Sequence, residues 1–162
     1  MNPPLIMTLV YVLHPNFEQS KRCREVLEHV KTLKNVTIKY VPETYQYTEK
    51  NIKAEQEAME KAERIVFLYP VYWWNIPGSA KMFLDKVFTP GFAYVYGMPH
   101  AAKLANKKFR TIMTTGGPSK HYADVSIMTH NQQQIFGDYM GMKVETAFFY
   151  FSDQTQDALK GL

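Results

Sequence analysis

Short runs rich in apolar residues alternate along this chain with stretches whose apolar positions recur every three to four residues, and the alternation repeats five times. Leu5 to Leu13 reads as a buried strand that ends at His14-Pro15. The spacing then predicts a helix from about Glu18 to Leu33, with Cys23, Val26, Leu27, Val30 and Leu33 on one face and Lys21, Arg22, Arg24, Glu25 and Glu28 mostly outside. Val36 to Val41 is a second strand, closed by Pro42, and Thr44 to Thr48 is loop. Lys50 to Glu63 is helical in composition, with Ile52, Met59 and Ala62 as a thin apolar stripe.

Ile65 to Tyr69 forms a third strand that stops at Pro70. Asn75 and Pro77 read as the cap and first-turn proline of a helix that carries Ala80, Phe83, Leu84 and Val87 on one face. Between Thr89 and Lys108, Pro90, Gly91, Gly97 and Pro99 lie among aromatics, which describes a long ordered loop or a short hairpin. Phe109 to Thr115 is a fourth strand, and Gly116-Gly117-Pro118 breaks it. A helix follows through about Tyr139, with Ile135, Phe136 and Tyr139 inward, and Gly141 ends it. Val144 to Phe151 is a fifth strand, and a last short helix starts near Asp153.

Five strands alternating with helices predict an α/β fold with a parallel sheet covered on both faces. At this length the flavodoxin-like strand order 2-1-3-4-5 fits best, with residues 1–162 as a single domain. In that order the carboxyl ends of strands one, three and four lie side by side, where open α/β sheets bind ligands. The loops at those ends are H-P-N-F-E-Q-S-K-R-C, Y-P-V-Y-W-W-N and T-T-G-G-P-S-K-H-Y, the most unusual of the chain.

Each loop offers a different chemistry. The first enters a helix whose opening N–H groups and positive dipole suit a phosphate. Ser20 adds a hydroxyl, and His14 and Arg22 add charge or donors, although Ser20 also suits an ordinary helix cap and His14 a turn. The second loop sets Tyr72, Trp73 and Trp74 in a row, which suits a flat conjugated ligand. Tryptophan commonly anchors cores and interfaces too, yet a short loop cannot bury three consecutive rings on one side. In the third, Gly116 and Gly117 allow close backbone approach and present N–H groups, as well as making a strand-to-helix turn. Phosphate donors, aromatics and backbone amides together describe flavin mononucleotide.

Composition narrows the classes. A single cysteine excludes an internal disulfide framework, and no apolar run approaches transmembrane length, so the expectation is a cytoplasmic protein without membrane insertion. The net charge of +4 comes from cations interleaved with glutamates, a solvated surface and not a nucleic-acid stripe. The sequence contains no Walker P-loop, G-x-G-x-x-G, C-x-x-C or H-E-x-x-H motif, and no metal site is expected.

The chain resembles the flavodoxin-like NAD(P)H:quinone oxidoreductases, the family of DT-diaphorase and of the ancillary subunits of bacterial potassium efflux systems. The features that match are V-L-H-P with Ser20 beyond it, A-E-Q before a helix and strand, F-L-Y-P-V-Y-W-W-N-I-P-G-S-A-K-M-F-L-D-K-V-F, G-F-A-Y-V-Y-G, and T-T-G-G followed by Tyr122. The resemblance implies that His14, Ser20, Arg22 and Cys23 hold the flavin phosphate, that Pro70, Val71, Tyr72, Trp73 and Trp74 line the ring, and that Thr114, Thr115, Gly116 and Gly117 bond its polar edge. Tyr122 takes the place of the family's active-site tyrosine, and Tyr94 and Tyr96 match aromatics that cover the substrate pocket of the partner in a homodimer. Cys23 stands where the family commonly has asparagine. Met128 stands where some members have a histidine. The short C-terminal chain favours FMN over FAD.

The implied activity is hydride transfer from NAD(P)H to the flavin and then to a quinone-like acceptor. Azo- or nitro-compound reduction, a regulatory subunit of a potassium efflux system, and a one-electron carrier are the alternatives.

Overall fold

The computed structural model describes residues 6–98 and 100–162, so Leu5 and Pro99, named above, lie outside the described residues. Five strand positions form one parallel sheet. They are β1 (Thr8–Val12), β2 (Val36–Tyr40), β3 (Arg64–Pro70), β4 (Lys108–Thr114) and a fifth position shared by β5 (Lys143–Val144) and β6 (Phe148–Tyr150). The order is 2-1-3-4-5, with β6 also paired to β4, as the flavodoxin-like reading requires.

The fifth strand is not continuous from Val144 to Phe151. Its break at residues 145–147 answers to two arginines: Glu145 meets the Arg64 guanidinium at 2.8 Å, and the Thr146 carbonyl accepts from Arg110 Nε at 3.0 Å.

Helices cover both faces. On one, α1 (Lys21–Val30) buries Cys23, Val26, Leu27 and Val30 against Val10, Val12, Val66 and Leu68, beside Leu159 of the terminal 3₁₀ turn. On the other, α2 (Glu49–Lys61), α3 (Gly78–Val87) and α4 (Ser126–Gln132) close over Tyr11, Phe67, Tyr69, Phe109 and Met113. Strand alternation explains the division, because odd and even positions of β3 point to opposite layers.

Four boundaries differ from the sequence pattern, one of them the helix after Pro118, which begins only at Ser126, behind a 3₁₀ turn at Ser119–His121. Phe17–Gln19 forms a 3₁₀ turn, and α1 begins only after Ser20, whose Oγ accepts from Cys23 N at 3.2 Å as an N-cap. The helix also ends at Val30, so Leu33 is exposed instead of inward. Ser20→Ala should cost about 1 kcal/mol of stability, read by urea denaturation, because a capped amide loses its acceptor. Beyond α4 the chain widens into a π-helix, Gln133–Tyr139, marked by Met140 N bonding Ile135 O across five residues. The wider turn shifts the phase of the apolar stripe. Phe136 is buried as expected, whereas Ile135 and Tyr139 are exposed. Gly141, at φ +74°, ends the helix.

Candidate functional site

The strand order brings the loops after β1, β3 and β4 together with a fourth, residues 151–155 after β6, at one end of the sheet. In the first loop His14 is buried, and its Nδ1 accepts from Asn16 N–H at 3.0 Å. Burial lowers the His14 pKa below the ordinary imidazole value. The neutral ring is therefore the native form. Stability from this contact is present above the unfolded pKa, roughly 6.5, and is lost as pH falls through the lower folded value. The protection factor of the Asn16 amide in hydrogen exchange, corrected for the intrinsic pH dependence of amide exchange, should fall on acidification below that range and stay level from pH 7 to 8.

Cys23 lies fully buried beneath the loop, with Sγ 3.1 Å from Thr114 Oγ1, and burial raises its pKa. It joins α1 to β4 and presents no sulfur to the cleft. Arg22, expected at the phosphate, commits its guanidinium elsewhere: it donates to the Ser152 carbonyl, to Gln154 O at 3.0 Å and to Glu25 at 3.2 Å, and it lies over the Tyr150 ring. The main-chain N–H groups of Lys21 and Arg22 have no acceptor among the described residues. These opening amides of α1 are the anion donors the first loop offers.

The second loop is a tight turn. Tyr72 and Asn75 exchange two backbone hydrogen bonds, 2.9 and 3.0 Å, with Trp73 and Trp74 at its corners. Both tryptophans take left-handed backbone, φ +50° and +57°, a conformation that costs a bulky residue about 1–2 kcal/mol. Asn75 therefore closes this turn and bonds Ile76 N through Oδ1, while Pro77 caps α3; the expected Asn75 cap is corrected. The strain holds Trp73 92% exposed, and it aims Trp74 at Tyr122, ring centres 5.6 Å apart. Strained backbone of this kind gathers at functional sites.

Pro70 ends β3 opposite Thr114, and Val71 N bonds Thr114 O at 2.8 Å, which fixes the second loop to the third. Thr115 donates its hydroxyl to Gly117 O at 2.7 Å. The N–H groups of Gly116 and Gly117 find no acceptor among the described residues. A Cβ on Gly116 would meet open space, whereas one on Gly117 would lie 3.3 Å from the Tyr122 ring. The Tyr122 ring is also 5.7 Å from that of Phe151. Asp153 holds the segment before Tyr122 by accepting from Ser119 N at 2.9 Å and Ser119 Oγ at 2.7 Å, which lowers its own pKa.

Of the residues read from the sequence, the structure gathers His14, Ser20, Val71, Trp74, Thr114 to Gly117 and Tyr122 at this end. Tyr94 and Tyr96 belong elsewhere in the chain: their rings meet each other at 5.2 Å, Tyr94 meets Tyr139 at 5.6 Å, and Tyr96 remains 74% exposed. Sequence reasoning missed Phe151, Ser152 and Asp153. Their position just past a fifth strand, in the same row of carboxyl ends, was the available signal.

A parallel 2-1-3-4-5 sheet with a cleft at the carboxyl ends of β1, β3 and β4 defines an α/β protein of the flavodoxin-like class. Residues 7–161 match the flavodoxin-like fold family, and the chain belongs to it. Similar solved structures include an NADPH-quinone reductase from P. pentosaceus, 19% identical over 96% of this chain and 95% of that one, with a TM-score of 0.81. A thermophilic tryptophan halogenase from Streptomycin violaceusniger is 26% identical over 94% and 92%, at 0.78. General stress protein 14 from Treponema denticola, in complex with FMN, is 24% identical over 95% and 91%, at 0.77. The neighbours agree on the fold and differ in the reactions their names carry. Among the described residues, no helix is long and apolar enough to cross a membrane.

Proposed function

We propose that this protein binds FMN in the cleft and works as an NAD(P)H:quinone oxidoreductase. The observation that carries the reading is the donor set: amides at Lys21 and Arg22 and at Gly116 and Gly117 with no acceptor among the described residues, and between them a strained turn that presents two tryptophans. Phosphate, polar ring edge and aromatic ring of one flavin need these three partners. The bound flavin supplies the hydride and electron chemistry. The protein's share is to orient and to exclude water. Gly116 and Gly117 amides would stabilise negative charge at the ring edge, and Trp73 and Trp74 would form the stacking wall. Tyr122, set between Trp74 and Phe151, is the proposed proton or charge partner.

Quinone-like acceptors are favoured by the flat aromatic surroundings and by the NADPH-quinone reductase among the structural neighbours. The cluster of half-buried Tyr94 with exposed Tyr96 and Tyr139 is the surface through which a homodimer would form, so that Tyr96 covers the partner's cleft. Steady-state NAD(P)H oxidation by the FMN-loaded protein should depend on added menadione, and oxidation indifferent to the quinone would reject the activity. Tyr96→Ala should raise the quinone KM while leaving FMN bound, because the lost contact is on the substrate side. A stable monomer of full activity in sedimentation at micromolar concentration would rule out the shared site.

A further inference from the structure

Arg22 stands in the first turn of α1, where a cation opposes the helix dipole and where no acidic residue balances it. Helix stability does not account for an arginine there. Its guanidinium is held by the chain past β6 and by one carboxylate: it donates to the Ser152 carbonyl, to Gln154 O at 3.0 Å and to Glu25 Oε2 at 3.2 Å, and it lies 4.8 Å from the centre of the Tyr150 ring. Glu25 is fixed in turn, since the same oxygen accepts from Tyr150 Oη at 2.9 Å. The planar fork of arginine reaches two carbonyls of one tight loop at once, which the single ammonium of lysine does not reproduce.

The loop so gripped, residues 151–155, touches the ring end of the cleft by three routes. Ser152, whose carbonyl accepts from Arg22, donates its own N–H to Gly117 O at 3.1 Å. Phe151 sets its ring 5.7 Å from that of Tyr122. Asp153 accepts from Ser119 N and Oγ, and Ser119 O accepts from Tyr122 N at 2.9 Å. The loop also closes on itself, because Gln154 accepts from Phe151 N through Oε1 at 2.8 Å and donates its N–H to Phe151 O at 3.1 Å. A displacement at Ser152 or Gln154 is therefore felt at Gly117 and at Tyr122.

We infer that Arg22 is a positioning residue for the ring end of the flavin site: its guanidinium holds the 151–155 loop, and the loop sets Gly117 and Tyr122 against the flavin. The backbone N–H of the same residue stays with the phosphate, so Arg22 ties the phosphate end of the cleft to the reacting end. This role rests on the flavin reading above, and it reverses what position in the chain implies for the side chain, which serves the reaction and not phosphate affinity.

Arg22→Gln and Arg22→Lys test this against wild type, with Asp153→Asn, at an exposed position, as a second break in the same chain of contacts. In flavin-free protein the protection of the Ser152 and Ser119 amides against hydrogen exchange should fall about tenfold in Arg22→Gln, the value of one charge-assisted hydrogen bond. FMN and riboflavin should weaken together, their affinity ratio staying within about twofold of wild type, because the phosphate donors are main-chain amides. With FMN loaded, the rate constant for flavin reduction by saturating NAD(P)H in stopped flow should fall about tenfold or more in all three variants, a misplaced ring-end residue being the cause. A phosphate role for the guanidinium gives the opposite pattern: FMN weakened more than riboflavin, and recovery in Arg22→Lys, whose point charge serves a phosphate well. Either of those results overturns the inference, as does wild-type protection at Ser152 and Ser119 or a wild-type reduction rate in Arg22→Gln. Wild-type protein that binds no flavin, or whose flavin NAD(P)H does not reduce, overturns the reading beneath it, a failure told apart because the exchange measurement is made without flavin.

Discussion

Replacing Trp73 and Trp74 together with alanine is expected to weaken FMN binding by about 2–4 kcal/mol, the range of aromatic truncations at binding hot spots. Trp73 is almost wholly exposed, and the Trp74 ring packs on that of Tyr122 at the surface, so little of the fold depends on either. The variant should keep its denaturation free energy within about 1 kcal/mol. The separation of effects is the point. Two bulky residues held in left-handed backbone contribute strain, and the fold gains no core packing from Trp73 in return. Unchanged FMN affinity in a folded double variant would place the site elsewhere.

The second large effect concerns Glu55. Only 5% exposed, this carboxylate accepts from Tyr11 Oη at 2.8 Å and Tyr45 Oη at 2.8 Å, and it pairs with Lys39 at 2.6 Å. It ties β1, β2, α2 and the loop before α2 into one network. Glu55→Ala leaves two phenols and an ammonium without their acceptor, and stability should fall by about 3 kcal/mol, the low end for breaking a buried pair because Lys39 retains access to water. Glu55→Gln should lose less, since its amide oxygen still accepts one phenol. Urea denaturation of the three proteins checks the order, and an Ala variant as stable as wild type would contradict it.

Both effects bear on what could be read from the residues alone. The sheet order was legible because each strand is a short run rich in apolar and β-branched residues between breakers, continuous in β3 and interrupted by Thr37 and Lys39 in β2 and by Arg110 and Thr111 in β4, and run length with alternating helices leaves few topologies. The position of the cleft followed from that order. Glu55 was not legible: in K-A-E-Q-E-A-M-E-K it is one glutamate among several, and only the tertiary approach of Tyr11, Tyr45 and Lys39 distinguishes it. The left-handed pair at Trp73-Trp74 was hidden for the opposite reason. Local preference argues against that backbone for tryptophan, so the turn is imposed by the Tyr72–Asn75 bonds between a fixed strand end and Pro77. Arg22 sat at the expected place in the chain, but its long side chain reaches the carbonyls past β6, a contact set by 130 residues of separation. Ile135 and Tyr139 were misplaced because a π-helix carries no distinct sequence period.

The central claim is that the cleft holds a flavin by its phosphate as well as its ring. The most direct measurement is titration of flavin-free protein with FMN and with riboflavin, followed by flavin fluorescence. One FMN per chain, bound roughly tenfold or more tightly than riboflavin, is the predicted result, since only FMN carries the charged group that the opening amides of α1 can bond. Equal affinities would contradict the phosphate site, and the absence of saturable binding by either flavin would contradict the account as a whole.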